Sequence, residues 1–162
     1  MTNRFLLLDA ARLKHNLDEA KVLNPSCISL YNGEMEAQLQ NAFPFLFSFE
    51  ENPEFANWYF KNGWGKSWGL ILYSEYEMQK TADHLKKHIL VNTENEKEYF
   101  FRFYDPRVLR VFLPTCNAKQ LKEFFGPVEQ FICEDQNPDF VLVFTFEENS
   151  LTTTRISKND VL

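Results

Sequence analysis

The chain has 162 residues, with 17 lysines and arginines against 23 aspartates and glutamates, and a formal net charge of −6. This length fits one domain, and the acidic balance counts against nucleic-acid binding as the main role, because phosphate contacts need a basic surface. No apolar run approaches the roughly 20 residues that a membrane span requires, and Asp9 and Arg12 interrupt any early signal sequence. We therefore expect a cytoplasmic protein that does not insert into membranes.

The cysteine and aromatic content indicates which kinds of site the chain can form. Cys27, Cys116 and Cys133 are an odd number without CxxC spacing, which is not typical of a disulfide framework or a cysteine-rich zinc site. We expect reduced thiols and no bound metal or cofactor. The 17 phenylalanines, 6 tyrosines and 3 tryptophans make up 16% of the residues. Large rings build hydrophobic cores and also binding surfaces, and composition does not distinguish the two.

The first half of the chain alternates between strand and helix patterns. The predicted elements are, in order, a strand over residues 5–8, a helix over 10–23, a strand over 27–31, a short helix over 34–39, a strand over 43–49, a helix over 53–62, a strand over 68–73 and a helix over 78–89. Asp9 is the expected N-cap of the first helix. Phe43, Phe45, Phe47 and Phe49 fall at period two, on one face of a strand. That face forms either ordinary core or an apolar groove for a cargo helix.

The second half has more turn signals and ends in two apolar segments. The predicted elements are a hairpin loop or polar connection over residues 92–98, a strand over 99–104, a helix from Asp105-Pro106 to Pro114, a helix over 118–125, and strands over 128–133 and 140–146. Residues 147–162 are polar and threonine-rich without clear periodicity, which predicts a short polar C-terminal tail. The pattern predicts a single α/β domain over residues 1–146, with a mixed β-sheet of about seven strands flanked by helices.

Two patterns resemble catalytic or metal-binding motifs and fall short of them. Gly65-Lys66-Ser67 resembles the end of a phosphate-binding loop, but the pattern needs a glycine where the chain has Phe60. His84 and His88 are four residues apart, but a zinc protease would have glutamate where the chain has Leu85. We expect both histidines to be exposed helix residues. No residue set predicts catalysis, so a non-enzymatic role is expected.

The segment Phe-Phe-Arg-Phe-Tyr-Asp-Pro-Arg at residues 100–107 stands apart from the rest. Strand alternation places Phe101 and Phe103 on one face, and Arg102 and Tyr104 on the other. A charged arginine is costly to bury without a partner, and Asp105 and Arg107 are close in sequence. One interpretation is an Arg–Asp network that locks the strand to the following helix. The other, compatible with it, is that the arginines and Tyr104 also face a partner protein.

This motif carries a resemblance to a known family. Arg-Phe-Tyr-Asp-Pro-Arg-Val-Leu at 102–109, then Phe112-Leu113-Pro114, Gln120 and Phe124-Phe125-Gly126-Pro127, resembles the effector adaptors, or effector chaperones, of the bacterial type VI secretion system. Earlier segments are similar in order: Leu-Leu-Asp-Ala-Ala at 7–11, Ser29-Leu30-Tyr31 with Gly33, the Phe-rich segment around Pro44, Gly65 to Gly69 with Ser74, and His84 to Lys87. The resemblance spans roughly residues 5–133, and the string at 102–107 is its most specific part.

The resemblance implies a binding protein and names its partners. Such adaptors hold a toxic effector in the cytoplasm of the attacking cell and deliver it to the valine-glycine-repeat (VgrG) spike protein. The implied motif residues are Arg102, Phe103, Tyr104, Asp105, Pro106, Arg107, Phe125, Gly126 and Pro127. Many relatives carry a C-terminal extension, so a chain that ends at Leu162 is expected to be a minimal adaptor.

Two alternatives stay open at this point. An immunity-like protein would bind a toxin to inhibit it, and an acidic chain suits that role when the toxin is basic. A small-molecule enzyme with an unrecognised site would need a pocket with convergent polar groups and shifted titrations.

Overall fold

The computed structural model describes residues 2–31, 41–50, 52–92, 94–95 and 97–160. The helix expected over residues 34–39 lies outside these ranges. The described strands are β1 (Asn3–Leu8), β2 (Cys27–Ser29), β3 (Phe45–Ser48), β4 (Gly69–Ser74), β5 (Leu90–Asn92), β6 (Glu98–Phe100), β7 (Val128–Glu134), β8 (Phe140–Glu147) and β9 (Ser150–Ser157). The described helices are α1 (Ala10–Leu13), α2 (Asn16–Leu23), α3 (Pro53–Asn62), α4 (Met78–Lys86), α5 (Pro106–Phe112) and α6 (Ala118–Phe125), with 3₁₀ turns at Leu113–Thr115 and Lys158–Asp160.

Seven strands form one sheet in the order β2-β3-β1-β4-β7-β8-β9, and β5 and β6 form a separate hairpin. The predicted α/β class, with a seven-stranded sheet flanked by helices, is confirmed. Strand direction differs from a mixed sheet, because every pairing among the described strands is antiparallel. The connections through α1–α2 and through α3 do bring the chain back in parallel, as alternation predicts, whereas β7, which follows α4, α5 and α6, pairs antiparallel with β4. However, β3 lies between the parallel strands β1 and β2, and β1 lies between the parallel strands β3 and β4. These parallel strands are therefore not neighbours, and each pairs with an antiparallel strand instead.

Helix starts follow the capping signals of the sequence. The side chains of Asp9, Asn52, Asp105 and Asn117 each accept a hydrogen bond from a backbone N–H in the first turn of α1, α3, α5 and α6. The α6 cap is a full capping box with Gln120. Within the described ranges, none of the helices has the length and apolar character needed to span a membrane.

Both faces of the sheet are covered, and each cover forms a separate core. On one side, which we call the α3 face, side chains such as Leu6, Phe47 and Ile71 pack under α1, α2 and α3. On the other side, the α6 face, side chains such as Leu7 and Phe131 pack under α4, α5 and α6. Most of the aromatic rings lie in these two cores, where each large side chain removes much apolar area from water.

The phenylalanines at period two belong to these cores. Phe43, Phe45, Phe47 and Phe49 are all buried, and none is more than 8% exposed. Phe45, Phe47 and Phe49 pack in the core of the α3 face. Phe43 precedes β3 and packs on the other side, with its ring centroid 4.8 Å from that of Tyr31. The four rings therefore form core and not the open cargo groove considered above. The prediction of one common face is wrong for Phe43, and α3 covers the face that Phe45, Phe47 and Phe49 share.

The polar C-terminal segment is a strand. β9 pairs with β8 over its full length, and the connecting Glu148 and Asn149 have φ angles of 50° and 63°, as expected of a tight hairpin turn. The expectation of a tail over residues 147–162 is wrong for this part of the chain. Apolar alternation is weak because β9 is an edge strand with mostly exposed side chains, whereas its threonines have high β-propensity.

Candidate functional site

The motif segment leaves its strand earlier than alternation predicts. β6 ends at Phe100, and the next residues turn so that the Asp105 N–H donates to the Arg102 carbonyl at 3.0 Å. Phe103 and Tyr104 are buried, whereas Arg102 is exposed. The prediction of Arg102 and Tyr104 on a common strand face is therefore wrong, because the turn that starts α5 breaks the alternation.

Asp105 starts α5 and fixes Arg107. Its Oδ1 accepts from the backbone N–H of Arg107 at 2.9 Å, and buried Pro106 occupies the first turn. The Arg107 guanidinium binds the same carboxylate, with Nε 3.1 Å from Oδ1 and Nη2 2.7 Å from Oδ2. Burial raises the pKa of Asp105, but the hydrogen bonds and charge of Arg107, with the charge of Arg12, lower it overall. The Asp–Arg pair expected from sequence spacing is present, and its carboxylate stays ionised.

Arg102 pairs with a residue near the start of the chain. Its Nη2 donates to Oδ2 of Asp9, a carboxylate that is 0% exposed. The other oxygen of Asp9 caps α1 by accepting from the Ala11 N–H at 3.1 Å. Asp105 was the nearer candidate in sequence, but it is occupied by Arg107. Asp9 and Arg102 are 93 positions apart in sequence, which puts this pair beyond any local pattern.

Tyr104 lies beside this ion pair as a neutral hydroxyl. Burial and the charge of Asp9 raise the pKa of Tyr104 to about 12, although Arg102 acts in the opposite direction. Burial lowers the pKa of Arg102, but its hydrogen bond to Asp9 and the charge of Asp9 raise it overall. At neutral pH the guanidinium is therefore charged and the phenol is not.

A third buried carboxylate, Glu134, fills a cradle of backbone donors. Its oxygens accept from the N–H of Gly65 at 2.6 Å and of Ser67 at 2.8 Å, and from the Ser67 hydroxyl at 3.3 Å. Gly65 and Ser67 have φ angles of 83° and 57°, which direct successive N–H groups to one point as in anion-binding nests. The loop thus has the donors of an anion site, contrary to the expectation that Gly65-Lys66-Ser67 forms no phosphate cradle, and a side chain of the protein occupies it.

Around these carboxylates lies a basic surface, the arginine patch, formed by Arg12, Lys66, Arg102 and Arg107. All four residues are exposed, and the side chains of Arg102 and Arg107 are 44% and 55% exposed. Arg12 donates from Nη2 to the Lys66 carbonyl at 2.8 Å, which joins α1 to the loop before β4. The carboxylates are beneath this surface, and the guanidinium groups face the solvent.

The buried carboxylates of the motif are occupied by structural bonds. Asp9 caps a helix and binds Arg102, and Asp105 caps a helix and binds Arg107. A general acid or base at neutral pH needs a pKa near 7 and a free lone pair or proton, whereas the pKa of Asp105 is lowered. The lowered pKa of Asp105 keeps this carboxylate charged at neutral pH and positions the charge of Arg107 at the surface.

The Phe125-Gly126-Pro127 part of the motif lies elsewhere. Phe125 is buried against Phe131, and Gly126 ends α6 with a φ of 50°. Pro127 directly precedes β7, whereas Glu134 ends it, so the two are about 20 Å apart along the strand. The structure does not bring this turn together with the arginine patch, and its role is to end a helix.

The two histidines are not exposed, contrary to expectation. His84 Nε2 is 2.8 Å from the carbonyl oxygen of Phe124, and the His88 ring centroid is 5.1 Å from that of Phe124. Burial lowers the pKa of His84; burial and the charges of His84 and Lys87 lower that of His88 to about 4. Both imidazoles are therefore neutral at pH 7. In the described part of the chain, no group of three or more potential metal-ligating side chains occurs.

A cleft of about 380 Å³ opens on the α3 face beside α3. Its described lining is mainly aromatic and aliphatic: Arg4, Phe49, Asn52, Pro53, Ala56, Phe60, Trp64, Ile71, Tyr73, Ile132 and Val141. Arg4 is the charged residue of this lining, which holds no carboxylate, histidine or cysteine. The cleft can bind apolar groups, but acid–base chemistry would need residues from elsewhere.

The β5–β6 hairpin presents apolar side chains to solvent directly before the motif. Leu90 and Val91 are 44% and 45% exposed, and Tyr99 and Phe100 are 54% and 60% exposed. Exposed aromatic side chains in a group are typical of protein-binding surfaces. Phe100 precedes Arg102 by two residues, so the apolar hairpin leads into the arginine patch.

Asp9, Arg12, Lys66 and Glu134 belong to this site, and sequence reasoning had given none of them a functional role. The signal for Asp9 was its capping position, and the signal for Glu134 was a carboxylate directly after an apolar strand. Neither signal identifies a partner, because each partner is distant in sequence.

Comparison with known proteins gives one family. Searches of curated proteins and of solved structures gave no match. The model of a family described as a domain of unknown function (DUF4123) matches residues 4–123, about three quarters of the chain. The matched range contains Asp9, the β5–β6 hairpin and the motif at 102–107. The chain therefore belongs to the DUF4123 family.

Proposed function

We propose that this protein is a non-enzymatic adaptor of a type VI secretion system. It binds an effector in the cytoplasm and loads it onto the VgrG spike. The sequence support is the resemblance over roughly residues 5–133, centred on Arg-Phe-Tyr-Asp-Pro-Arg at 102–107. The fold and the family membership are compatible with this role.

The observation that carries the proposal is the composite surface around the motif. Exposed Tyr99 and Phe100 lie next in sequence to exposed Arg102 and Arg107. Aromatic residues and arginine are the types over-represented where proteins bind one another. The arginines are held by buried carboxylates, so less conformational freedom is lost when a partner binds them.

The test is a pull-down of the tagged full chain from the native bacterium while the secretion genes are expressed, with mass spectrometry. Recovery of both a spike protein and a toxin supports the adaptor role and identifies the cargo. Recovery of a toxin alone, together with its inhibition by the purified chain, favours an immunity-like protein. Recovery of neither partner contradicts the proposal.

A pair of matched variants connects this test to the surface. The Tyr99→Ala/Phe100→Ala variant removes two exposed rings of the hairpin, and we expect it to reduce partner recovery by about tenfold or more. The Val22→Ala/Tyr76→Ala variant removes exposed apolar side chains elsewhere, 82% and 48% exposed, and should not change recovery. Equal recovery by both variants would remove the hairpin from the proposed interface.

A further inference from the structure

The arginines of the chain are concentrated at one end of the sheet. The chain has six arginines, and all except Arg4 occur there: Arg12, Arg102, Arg107, Arg110 and Arg155. Arg12, Arg102 and Arg107 are exposed. They surround the buried carboxylates of Asp9 and Asp105. Arg110 donates to the Glu134 carbonyl at 2.8 Å. Arg155 forms an ion pair with Asp135, the residue after Glu134.

The carboxylates that balance this charge are below the surface. Asp9, Asp105 and Glu134 are 0%, 4% and 3% exposed. A ligand that approaches from solvent therefore meets Arg12, Lys66, Arg102 and Arg107 first. The outermost groups of this surface are cationic, although the chain carries a net charge of −6.

The guanidinium groups of the patch retain unused donors. The bonds described use Nε and Nη2 of Arg12 and of Arg107, and Nη2 of Arg102. Each guanidinium carries five N–H donors, so every one keeps donors for a second acceptor. Because one edge is fixed to the protein, the other edge is held in place, and planar forks of this kind match the geometry of carboxylates and phosphates.

The size of the patch favours a short acidic segment over an extended polyanion. The net charge of −6 includes the four cations of the patch and the three buried carboxylates beneath it, so the rest of the chain carries a formal charge of −7. A nucleic acid that extended beyond the patch would meet this acidic surface, which opposes its binding. A peptide with a few neighbouring carboxylates would stay on the patch, with the apolar hairpin next to it for its other side chains.

We infer that the arginine patch is a binding surface for a short acidic segment of a partner protein. The inference rests on the proposed function only for the identity of that partner, which would be the effector or the spike. The recognition itself depends on the carboxylates of the segment and on Arg12, Lys66, Arg102 and Arg107.

The first test uses a fluorescein-labelled hexaglutamate peptide and the full chain, with fluorescence anisotropy as the readout. We expect saturable binding that weakens several-fold when NaCl rises from about 50 mM to about 200 mM. The Arg102→Ala/Arg107→Ala variant should bind about tenfold more weakly or worse. The Lys119→Ala/Lys122→Ala variant, which loses the same charge from exposed positions on α6, should bind within about twofold of the unchanged chain.

Three results would overturn the inference: equal weakening in both double variants, equal binding of a hexaglutamine peptide, or tighter binding of an oligothymidine than of hexaglutamate. The last result would favour nucleic acid. Because Arg102 holds Asp9, the melting temperature of each variant is measured alongside. Lys66→Ala, whose Nζ lies 5.9 Å from the Trp68 ring centroid, is a second variant that spares the ion pairs and should still weaken binding about twofold to threefold.

A pull-down with the same variants separates this inference from the proposed function. Loss of partner recovery with Arg102→Ala/Arg107→Ala but not with Lys119→Ala/Lys122→Ala supports both. Full recovery with both variants overturns the arginine patch as the contact and leaves the adaptor role standing. If the unchanged chain recovers no partner, the adaptor role fails, and the peptide assay alone decides the inference.

Discussion

Two clusters of titratable side chains meet at Phe103 and Tyr104, and they have opposite electrostatic characters. Tyr104 borders the Asp9–Arg102 pair, where charges are kept. The Phe103 ring centroid is 6.4 Å from that of His88, in a cluster where charge is suppressed. Burial disfavours the charged form of the side chains in both clusters. Only the cluster at Tyr104 offers each ion a partner of opposite sign. Two adjacent residues, Phe103 and Tyr104, therefore connect a charged surface to an uncharged core.

The largest expected effect comes from removing the residue that joins the two clusters. Phe103 is 0% exposed and has ring contacts with Phe101, Tyr104, His88 and Phe124. Phe103→Ala should lower the free energy of unfolding by about 3–5 kcal/mol, because it leaves a cavity in packed core. The check is urea denaturation of the purified chain.

Phe100→Ala is the matched control for Phe103→Ala. Phe100 lies three residues earlier and is 60% exposed, so its loss should cost less than about 1 kcal/mol. A similar cost for the two substitutions would contradict the division into exposed hairpin and buried junction.

The next effect is in the charged cluster. Asp9→Ala removes the cap of α1 and the acceptor for Arg102, and should cost about 2 kcal/mol. The cost is limited because Arg102 is half-exposed and can return to water. Asp18→Ala is the control, since Asp18 is exposed in the first turn of α2 and should cost about 0.5 kcal/mol or less. Denaturation midpoints that fall equally in the two variants would contradict the structural role of Asp9.

Local patterns predicted much of this arrangement and missed its long-range part. The caps at Asp9 and Asp105 and the strand over residues 5–8 followed from residue types and spacing. The Arg102–Asp9 pair did not, because it depends on strand order, and β3 inserted between β1 and β2 is not visible in periodicity. The burial of His88 was missed for the same reason, since Phe103 and Phe124, which are distant from it in sequence, pack against its ring.

The histidine cluster predicts a pH dependence of stability. The pKa of His88 is lowered from 6.5 to about 4, by burial first and then by the charges of His84 and Lys87. As pH falls, the unfolded chain therefore binds the proton before the folded chain does. Stability is full above about pH 6.5 and is lost as pH falls towards 4, by about 1 kcal/mol between pH 7 and pH 5 after allowance for the exposed part of the ring.

His88→Phe should remove most of this loss, because a ring of similar shape packs against Phe103 and Phe124 without a proton to bind. Urea midpoints at pH 7 and pH 5 give the measurement. His15→Gln, at an exposed position, should leave the loss unchanged. If His88→Phe has the same difference between the two pH values as the unchanged chain, another group is responsible for it.

The smallest effect on stability is expected at Arg107, where binding and folding should separate. Its side chain is 55% exposed, and Asp105 would keep the cap of α5, because that cap uses the backbone N–H of residue 107. Arg107→Ala should therefore cost about 0.5 kcal/mol, whereas Asp105→Ala removes the cap and should cost about 1–2 kcal/mol. Calorimetric melts of the two variants at neutral pH give the comparison. A loss at Arg107 as large as that at Asp105 would mean that the guanidinium serves mainly to hold the fold, and that its exposure is incidental.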